Sequence, residues 1–535
     1  MEGLVIAVVL GLAVLAGGLV QRWTRLPAPW IWVVLGAGLG FVPALHGVSL
    51  PPDVVLFLFL PALLYWEALG TSLQQLRYDA RVITLLSVGL VAATAAVVAG
   101  LGALLGLAVP VALVLGAILS PTDATAVAAM APRLPRRVAA ILRGESLVND
   151  GTALALYSVA VAAVVAGHGV QPLELSLRFL WAVVVGVASG LLVGWLISLL
   201  RRLARRPAVD DILSILSPFA LFLPAELLEA SGVVAVVAGG LLLARVTPRI
   251  VPARSRNEGY SFWRAATNVI NGALFVLIGL QARPALDAFV GRGWATVLVL
   301  AGASALAVFG IRVLWNVAIA PIIRLLDRRP SQRTRRAPIA ARLVIAWGGF
   351  RGAVSLAAAL SLPLLTDAGR PFPGREVIVA VTFLVIVATL FAQGATMPLI
   401  VRAAHLAPDV AERDERRLAA TEPLRRAIEH LDEDARAAGA DDAARDDVRQ
   451  TLEHELEHAS RPAEGDAHAE GKHRLLLRTL RRRRQEVIRL RNERLIDDGV
   501  MLDAQAALDH EELRISTDDD PDGRPSGDPS SRRPS

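Results

Sequence analysis

The chain has no cysteine and a single lysine, Lys472, in 535 residues. The first absence excludes disulfides and thiolate metal ligands. The second leaves arginine as almost all of the positive charge, a compositional bias without mechanistic content. Charged residues are scarce from residue 1 to about residue 404 and dense beyond it. With 54% hydrophobic residues and a mean hydropathy of +0.51, the chain has too little polar surface for a soluble protein of its length. Lipid must be part of its solvent. The pI of about 10.4 invites a nucleic-acid reading. The arginines, however, sit mostly in short loops between apolar segments, which fits membrane topology and argues against nucleic acid.

A bilayer core needs about 20 apolar residues per helix. Thirteen candidate spans follow, starting near Leu4, Pro29, Val54, Val82, Pro110, Val138, Leu177, Asp211, Val233, Thr267, Trp294, Leu343 and Val377. The stretch Leu4 to Val20 runs into Gln21-Arg22-Trp23 and not into a small-residue cleavage site, so it reads as a first membrane helix. Pro218, Pro224 and Glu226 to Glu229 split the eighth and ninth spans. Alternate loops carry most of the arginines: Arg22 and Arg25, Arg77 and Arg81, Arg133 to Arg137, Arg201 to Arg206, Arg245 to Arg264, Arg324 to Arg342. The positive-inside rule then puts the N-terminus outside and the C-terminus in the cytoplasm. The expected domains are a membrane domain at 1–404, a helical cytoplasmic tail at 405–515 and a disordered end at 516–535.

Charges at membrane depth are costly and mark functional sites. The third span carries Glu67, the fifth Ser120-Pro-Thr-Asp123, and the twelfth Trp347-Gly-Gly-Phe-Arg351-Gly-Ala-Val-Ser355. In the sixth, Glu145 and Asn149, and Ser146 and Asp150, are each spaced four apart, so two polar pairs share one helix face. A lone carboxylate there suits a group that binds a proton and surrenders it to a hard cation, with Ser146 and Thr152 adding oxygen contacts. Pro121 interrupts the fifth span and Gly348, Gly349 and Gly352 loosen the twelfth. Paired interruptions are the sequence pointer to a midplane transport site. Their separation by seven spans fits six-helix inverted repeats.

Ser120-Pro-Thr-Asp-Ala-Thr-Ala, Gly144-Glu-Ser-Leu-Val-Asn-Asp-Gly-Thr and Trp347-Gly-Gly-Phe-Arg-Gly-Ala-Val-Ser-Leu resemble signatures of the cation:proton antiporter family, which includes NhaP-type antiporters and sodium/proton exchangers. Leu60-Pro-Ala-Leu-Leu-Tyr-Trp-Glu67-Ala and Asn271 to Gln281 are similar to further family segments; Trp66 departs where a phenylalanine-like residue is commoner. The resemblance implies an all-α polytopic fold and a homodimer in the plasma membrane. It implies exchange of Na⁺, or Li⁺ or K⁺, for H⁺ by alternating access, serving pH and sodium homeostasis. Asp150 would alternate between cation and proton, with Ser146, the Thr122 carbonyl, Asp123 and Glu67 lining the site. Glu145 and Arg351 would form a buried ion pair with Asn149 beside it. The Asn149-Asp150 pairing goes with electroneutral exchange. No cofactor is implied, and no metal beyond the transported cation.

Bland readings stand beside these. Ser146 can bond back to its own helix, and Asn268, Asn271, Thr125 and Ser355 suit interhelical hydrogen bonds. His454-Glu-Leu-Glu-His458 matches a zinc-hydrolase spacing but lies in a charged helix with no apolar pocket and no third ligand. Asp123 and Asp150 on consecutive spans raise a paired-aspartate protease, which explains neither Arg351 nor the broken helices. A passive channel would need no titratable carrier. In the tail, Glu412 to Ala459 and Lys472 to Arg514 read as charged helices, with Arg481 to Arg484 a basic cluster. A regulatory or dimer-supporting role is expected of it.

Overall fold

A computed structural model describes residues 2–24, 26–43, 54–131, 134–167, 172–204, 206–286, 294–326, 338–406, 410–460, 467–493 and parts of 495–512. Among these the regular elements are all helical. The chain divides into two units, Met1–Asp409 and Val410–Ser535.

The first unit holds α1 (Glu2–Thr24), α2 (Ala28–Gly40), α3 (Val55–Leu69), α4 (Leu73–Tyr78) and α5 (Ala80–Leu104). Then come α6 (Val109–Leu119), α7 (Ala124–Met130), α8 (Arg136–Val165), α9 (Pro172–Ala204), α10 (Pro207–Leu227) and α11 (Gly232–Ile250). It closes with α12 (Ala253–Leu280), α13 (Trp294–Leu326), α14 (Ile339–Trp347), α15 (Ala353–Leu360) and α16 (Arg375–Ala403). Nine described helices are long and apolar enough to cross a membrane, and α6 with α7 makes a tenth if that pair, bent by 42°, is one span. The thirteen expected starts each fall on one of these helices or helix pairs, yet α2, α3 and the α14–α15 pair are too short to count as full spans by length. The count of thirteen is therefore not established by length and composition. The split expected between the eighth and ninth spans falls at the Glu226–Glu229 end of the expected stretch. Pro218 and Pro224 are accommodated inside a continuous α10, and the chain turns at Leu228 to Ser231, where Glu229 takes φ 54°.

Close approach of backbones holds the helices together, because lipid-facing apolar groups gain little from contacting one another. On α9, Gly186, Gly190 and Gly194 recur every fourth residue and face the Ser231, Ala235 and Gly239 backbone of α11. A Cβ on Gly190 would overlap the Ala235 carbonyl. The same device joins α2 to α12, where a Cβ on Gly36 would strike the Val276 carbonyl.

The second unit contains α17 (Val410–Ala438), α18 (Asp442–Ser460) and α19 (Ala467–Asn492). The charged stretch from Glu412 to Ala459 forms two helices, α17 and α18. Gly439 at φ 67° ends α17, and the Ala440 N–H closes on the Ala435 carbonyl at 2.9 Å, a glycine-terminated helix end. Arg449 on α18 then reaches Asp432 on α17 at 3.0 Å. The expected disordered segment 516–535 lies outside the described residues.

Gly190→Val is expected to lower the thermal unfolding midpoint of the purified protein in detergent, with a cost of about 1–3 kcal/mol or more from overpacking. Gly100→Val on α5, whose Cβ would meet nothing within 4 Å, is the control and should leave the midpoint unchanged.

Candidate functional site

Two helices stop inside the membrane unit and their breaks meet. The first break, Ser120 to Asp123, separates α6 from α7; the second, Gly348 to Gly352, separates α14 from α15. The Asp123 N–H donates to the Phe350 carbonyl at 2.8 Å, tying one break to the other. Gly352 lies so close to the Asp123 carboxylate that any Cβ there would collide with it. The glycine therefore serves close approach.

Each helix end created by a break leaves backbone groups without intrahelical partners, and its dipole leaves partial charge. Asp123 caps the N-terminus of α7: its Oδ1 accepts from Thr125 N–H at 2.8 Å, from Ala126 N–H at 3.1 Å and from the Thr125 hydroxyl. Arg351 donates through Nε to the Leu119 carbonyl at the C-terminus of α6, 3.0 Å, and through Nη1 to the Gly349 carbonyl. Arg312, on α13, donates to the Ile345 carbonyl at 2.9 Å and the Ala346 carbonyl at 3.1 Å, at the C-terminus of α14. Carboxylate at a helix N-terminus and guanidinium at C-termini are the favourable arrangement.

The expected Glu145–Arg351 pair is not formed. Glu145 is held by both terminal nitrogens of Arg312, with Nη2 to Oε2 at 3.0 Å, and all three side chains are 1% exposed. The reason is geometric: the guanidinium of Arg351 is engaged by carbonyls of the two breaks. Arg312 was missed in the sequence although the signal was present. It is the lone charge of the apolar stretch Trp294–Ala318, in Gly310-Ile-Arg312-Val.

The sixth-span residues assemble on α8 as their spacing requires. Ser146 Oγ donates to the Thr122 carbonyl at 3.0 Å and accepts from Ala124 N–H at 3.3 Å. It bonds across to the break, not back to its own turn. Asn149 Nδ2 donates to Thr122 Oγ1 at 2.8 Å, and that hydroxyl donates to Glu145 Oε1 at 3.3 Å. Asn149 thus reaches the ion pair through Thr122. Thr152 does bond back, to the Val148 carbonyl at 3.0 Å.

Asp150, Ser146, Thr122, Asp123 and Glu67 line one small pocket, together with Thr125, Asn271 and Ser355. Its free volume of about 30 Å³ admits roughly two water-sized occupants. Asp150 is 5% exposed, and no side chain among the described residues donates a hydrogen bond to it. The Ser355 hydroxyl is buried without a hydrogen-bond partner. Glu145, Asn149 and Arg351 stand behind the pocket. Asn268 is exposed on α12, whereas Asn271 reaches the pocket wall. Trp66 packs edge-on against Tyr260, with ring centroids 6.0 Å apart. In the second unit, His454 and His458 share α18, and no group of three His, Asp or Glu side chains placed to hold a metal occurs among the described residues.

Interrupted helices meeting beside a small acidic pocket define a secondary membrane transporter. The chain belongs to the sodium/hydrogen exchanger family: the family described as "Sodium/hydrogen exchanger, transmembrane" matches residues 9–403. It is 42% identical over 525 residues to an uncharacterized Na⁺/H⁺ exchanger of Mycobacterium tuberculosis, covering 96% of each chain. A Na⁺/H⁺ antiporter of Aphanothece halophytica is 30% identical, with 80% of this chain and 79% of that one covered. A sodium, potassium, lithium and rubidium/H⁺ antiporter of Bacillus pumilus is 31% identical over 74% of this chain and 61% of its own. The fold is similar to that of the sodium proton antiporter MjNhaP1 from Methanocaldococcus jannaschii, with TM-score 0.59 and 19% identity, covering 75% of this chain and 99% of that one.

Removing one partner of a buried ion pair strands the other charge. Arg312→Leu is expected to cost about 3–5 kcal/mol, and Glu145→Gln/Arg312→Leu to recover part of that loss. A double-mutant cycle on thermal stability should give strong coupling for Glu145 with Arg312 and weak coupling for Glu145 with Arg351. The reverse order would overturn the assignment of the pair.

Proposed function

We propose that the protein exchanges Na⁺ for H⁺ through a single site at Asp150, which holds one or the other. The observation that carries this reading is the position of the Asp150 carboxylate, facing a narrow, oxygen-lined pocket with no arginine upon it among the described residues. A carboxylate so placed needs a counter-charge, and a proton or a small cation is what the pocket can admit. Ser146, the Thr122 carbonyl, Asp123 and Glu67 supply the oxygens that a hard cation prefers. Glu145, Arg312, Arg351 and Asn149 hold the broken helices in register behind them.

Proton and cation compete for one carboxylate, so the exchange is electroneutral, one for one. Li⁺ and K⁺ are the alternative cargoes. K⁺ has specific support in the Bacillus pumilus relative, whose description names sodium, potassium, lithium and rubidium. A bundle carrying α6, α7, α8, α14 and α15 moves against the remaining helices to give alternating access. The arginine-rich loops support a plasma-membrane topology with the N-terminus outside and the tail in the cytoplasm. Homodimer formation, a regulatory tail over 405–515 and a part in pH and sodium homeostasis complete the proposal and rest on family resemblance.

Proteoliposome exchange assays with Na⁺, Li⁺ and K⁺ test it. Asp150→Asn should abolish exchange of every cation, and wild-type rates in that variant would remove Asp150 from the carrier role. Since a single proton competes, the apparent Na⁺ affinity should weaken as pH falls, by at most about tenfold per pH unit. A steeper dependence, or net charge movement during turnover, would rule out one-for-one exchange.

A further inference from the structure

A second cavity lies on the same interface as the ion pocket. Its volume is about 1030 Å³, and it is walled by the first turns of α3, the later turns of α8, and parts of α9, α10 and α11. Along α8 the ion pocket takes Ser146 and Asp150, and the wide cavity takes Leu154, Tyr157 and Ser158. Along α3, which contributes to both, the ion pocket takes Glu67, Leu64, Leu63 and Leu60, and the wide cavity takes Leu60, Phe57 and Leu56. The two spaces are successive segments of one cleft. Leu60 is the α3 residue that borders both.

The division between them is apolar and tight. Leu60 is 4% exposed, and Leu154, one helical turn beyond Asp150, is 8% exposed. On the third side Val233 of α11 is buried, and a Cβ on Gly151 of α8 would come within 3.0 Å of Val234. Leu60 follows directly on a π-helical turn, Val55–Phe59, an irregularity common at functional positions. Phe57 from that turn packs edge-on against Phe222 of α10, with centroids 5.8 Å apart. The wide cavity also takes in Arg178 and the Glu226 to Ser231 turn, which lie on the arginine-poor side of the membrane unit and so face outward in the topology proposed above.

We propose that Leu60, closing against Leu154, is the gate that keeps the ion pocket from the outer vestibule and so couples cation movement to proton movement. The proposal rests on the reading of Asp150 as the carrier site. With the gate shut, the site cannot meet the outer solution unless the bundle moves. A side chain too short to fill the gap would let water join the two cavities, and protons would then pass without exchange.

The full-length chain in proteoliposomes provides the test. A potassium diffusion potential set by valinomycin drives proton entry only through an uncoupled path, because electroneutral exchange does not respond to potential. Wild type and Leu60→Met are expected to show no more valinomycin-dependent proton uptake than protein-free vesicles, and Leu60→Ala to show it clearly; exchange driven by the potassium gradient itself is the same with and without valinomycin. If Leu60→Ala does not reconstitute, Leu154→Ala truncates the opposite wall and should leak likewise. Since the chain has no cysteine, a single Val354→Cys, placed in the ion-pocket wall, gives a second reading. It should react faster with an external, membrane-impermeant maleimide in the Leu60→Ala background than beside Leu60. Tight vesicles from folded Leu60→Ala, or equal labelling in both backgrounds, would overturn the gate. Failure of the carrier reading is separate: it appears as exchange surviving in Asp150→Asn, whatever the leak of Leu60→Ala.

Discussion

A helix that stops at membrane depth exposes several carbonyls at one end and several N–H groups at the next, where no bulk water can take them. Two such helices stop here, at Ser120 to Asp123 and at Gly348 to Gly352. The rest of the site depends on how those ends are satisfied. They are satisfied by each other and by charged side chains: Asp123 at the α7 N-terminus, Arg351 at the C-terminus of α6, Arg312 at the C-terminus of α14, and the Asp123 N–H on the Phe350 carbonyl. Each group offsets a dipole end, so the charges cost less than they would on a continuous helix. Cross-bracing makes the two breaks a single object. A displacement of one break must carry the other, which is what rigid-body movement of a bundle requires.

This bracing also explains the division of labour among the carboxylates. Glu145 is neutralised by Arg312, and Asp123 is absorbed by backbone donors. Asp150 is left on the same face of α8, one turn beyond Ser146, with neither kind of partner among the described residues. The scaffold charges are matched internally, and the carboxylates left without such partners among the described residues, Asp150 and Glu67, face the pocket. Burial alone would not separate Glu145 from Asp150, since both are buried; the hydrogen-bond partners do.

Much of this was legible in the residues. Spacing put Glu145, Ser146, Asn149 and Asp150 on one face of α8, and Pro121 and Gly348-Gly349 marked the interruptions, because helix periodicity and backbone restriction are local properties. The partner of Glu145 was not legible. Arg312 and Arg351 are both lone arginines in apolar surroundings, and which one reaches Glu145 depends on where α13 packs, a tertiary fact with no trace in spacing. The glycine seam of α9 is a similar case: Gly186, Gly190 and Gly194 are visible as a period of four, but the α11 backbone they face is not. In the tail, the charged stretch has helical composition on both sides of Gly439, and the positive φ there divides it into α17 and α18.

Asn149 is where bracing and exchange meet. Its amide donates to the Thr122 hydroxyl, whose own proton points to Glu145. A carboxylate in that place would offer the hydroxyl an acceptor where it now has a donor, and Thr122 has one proton for two acids. It would also bring a further negative charge beside Asp150 on the same helix. Relief would come from an extra proton or from drawing Arg312 or Arg351 off its carbonyls, which would unmake a helix end. An amide satisfies Thr122 without titrating. Under the proposed carrier reading, Asp150 then exchanges its proton with no second acid beside it at position 149.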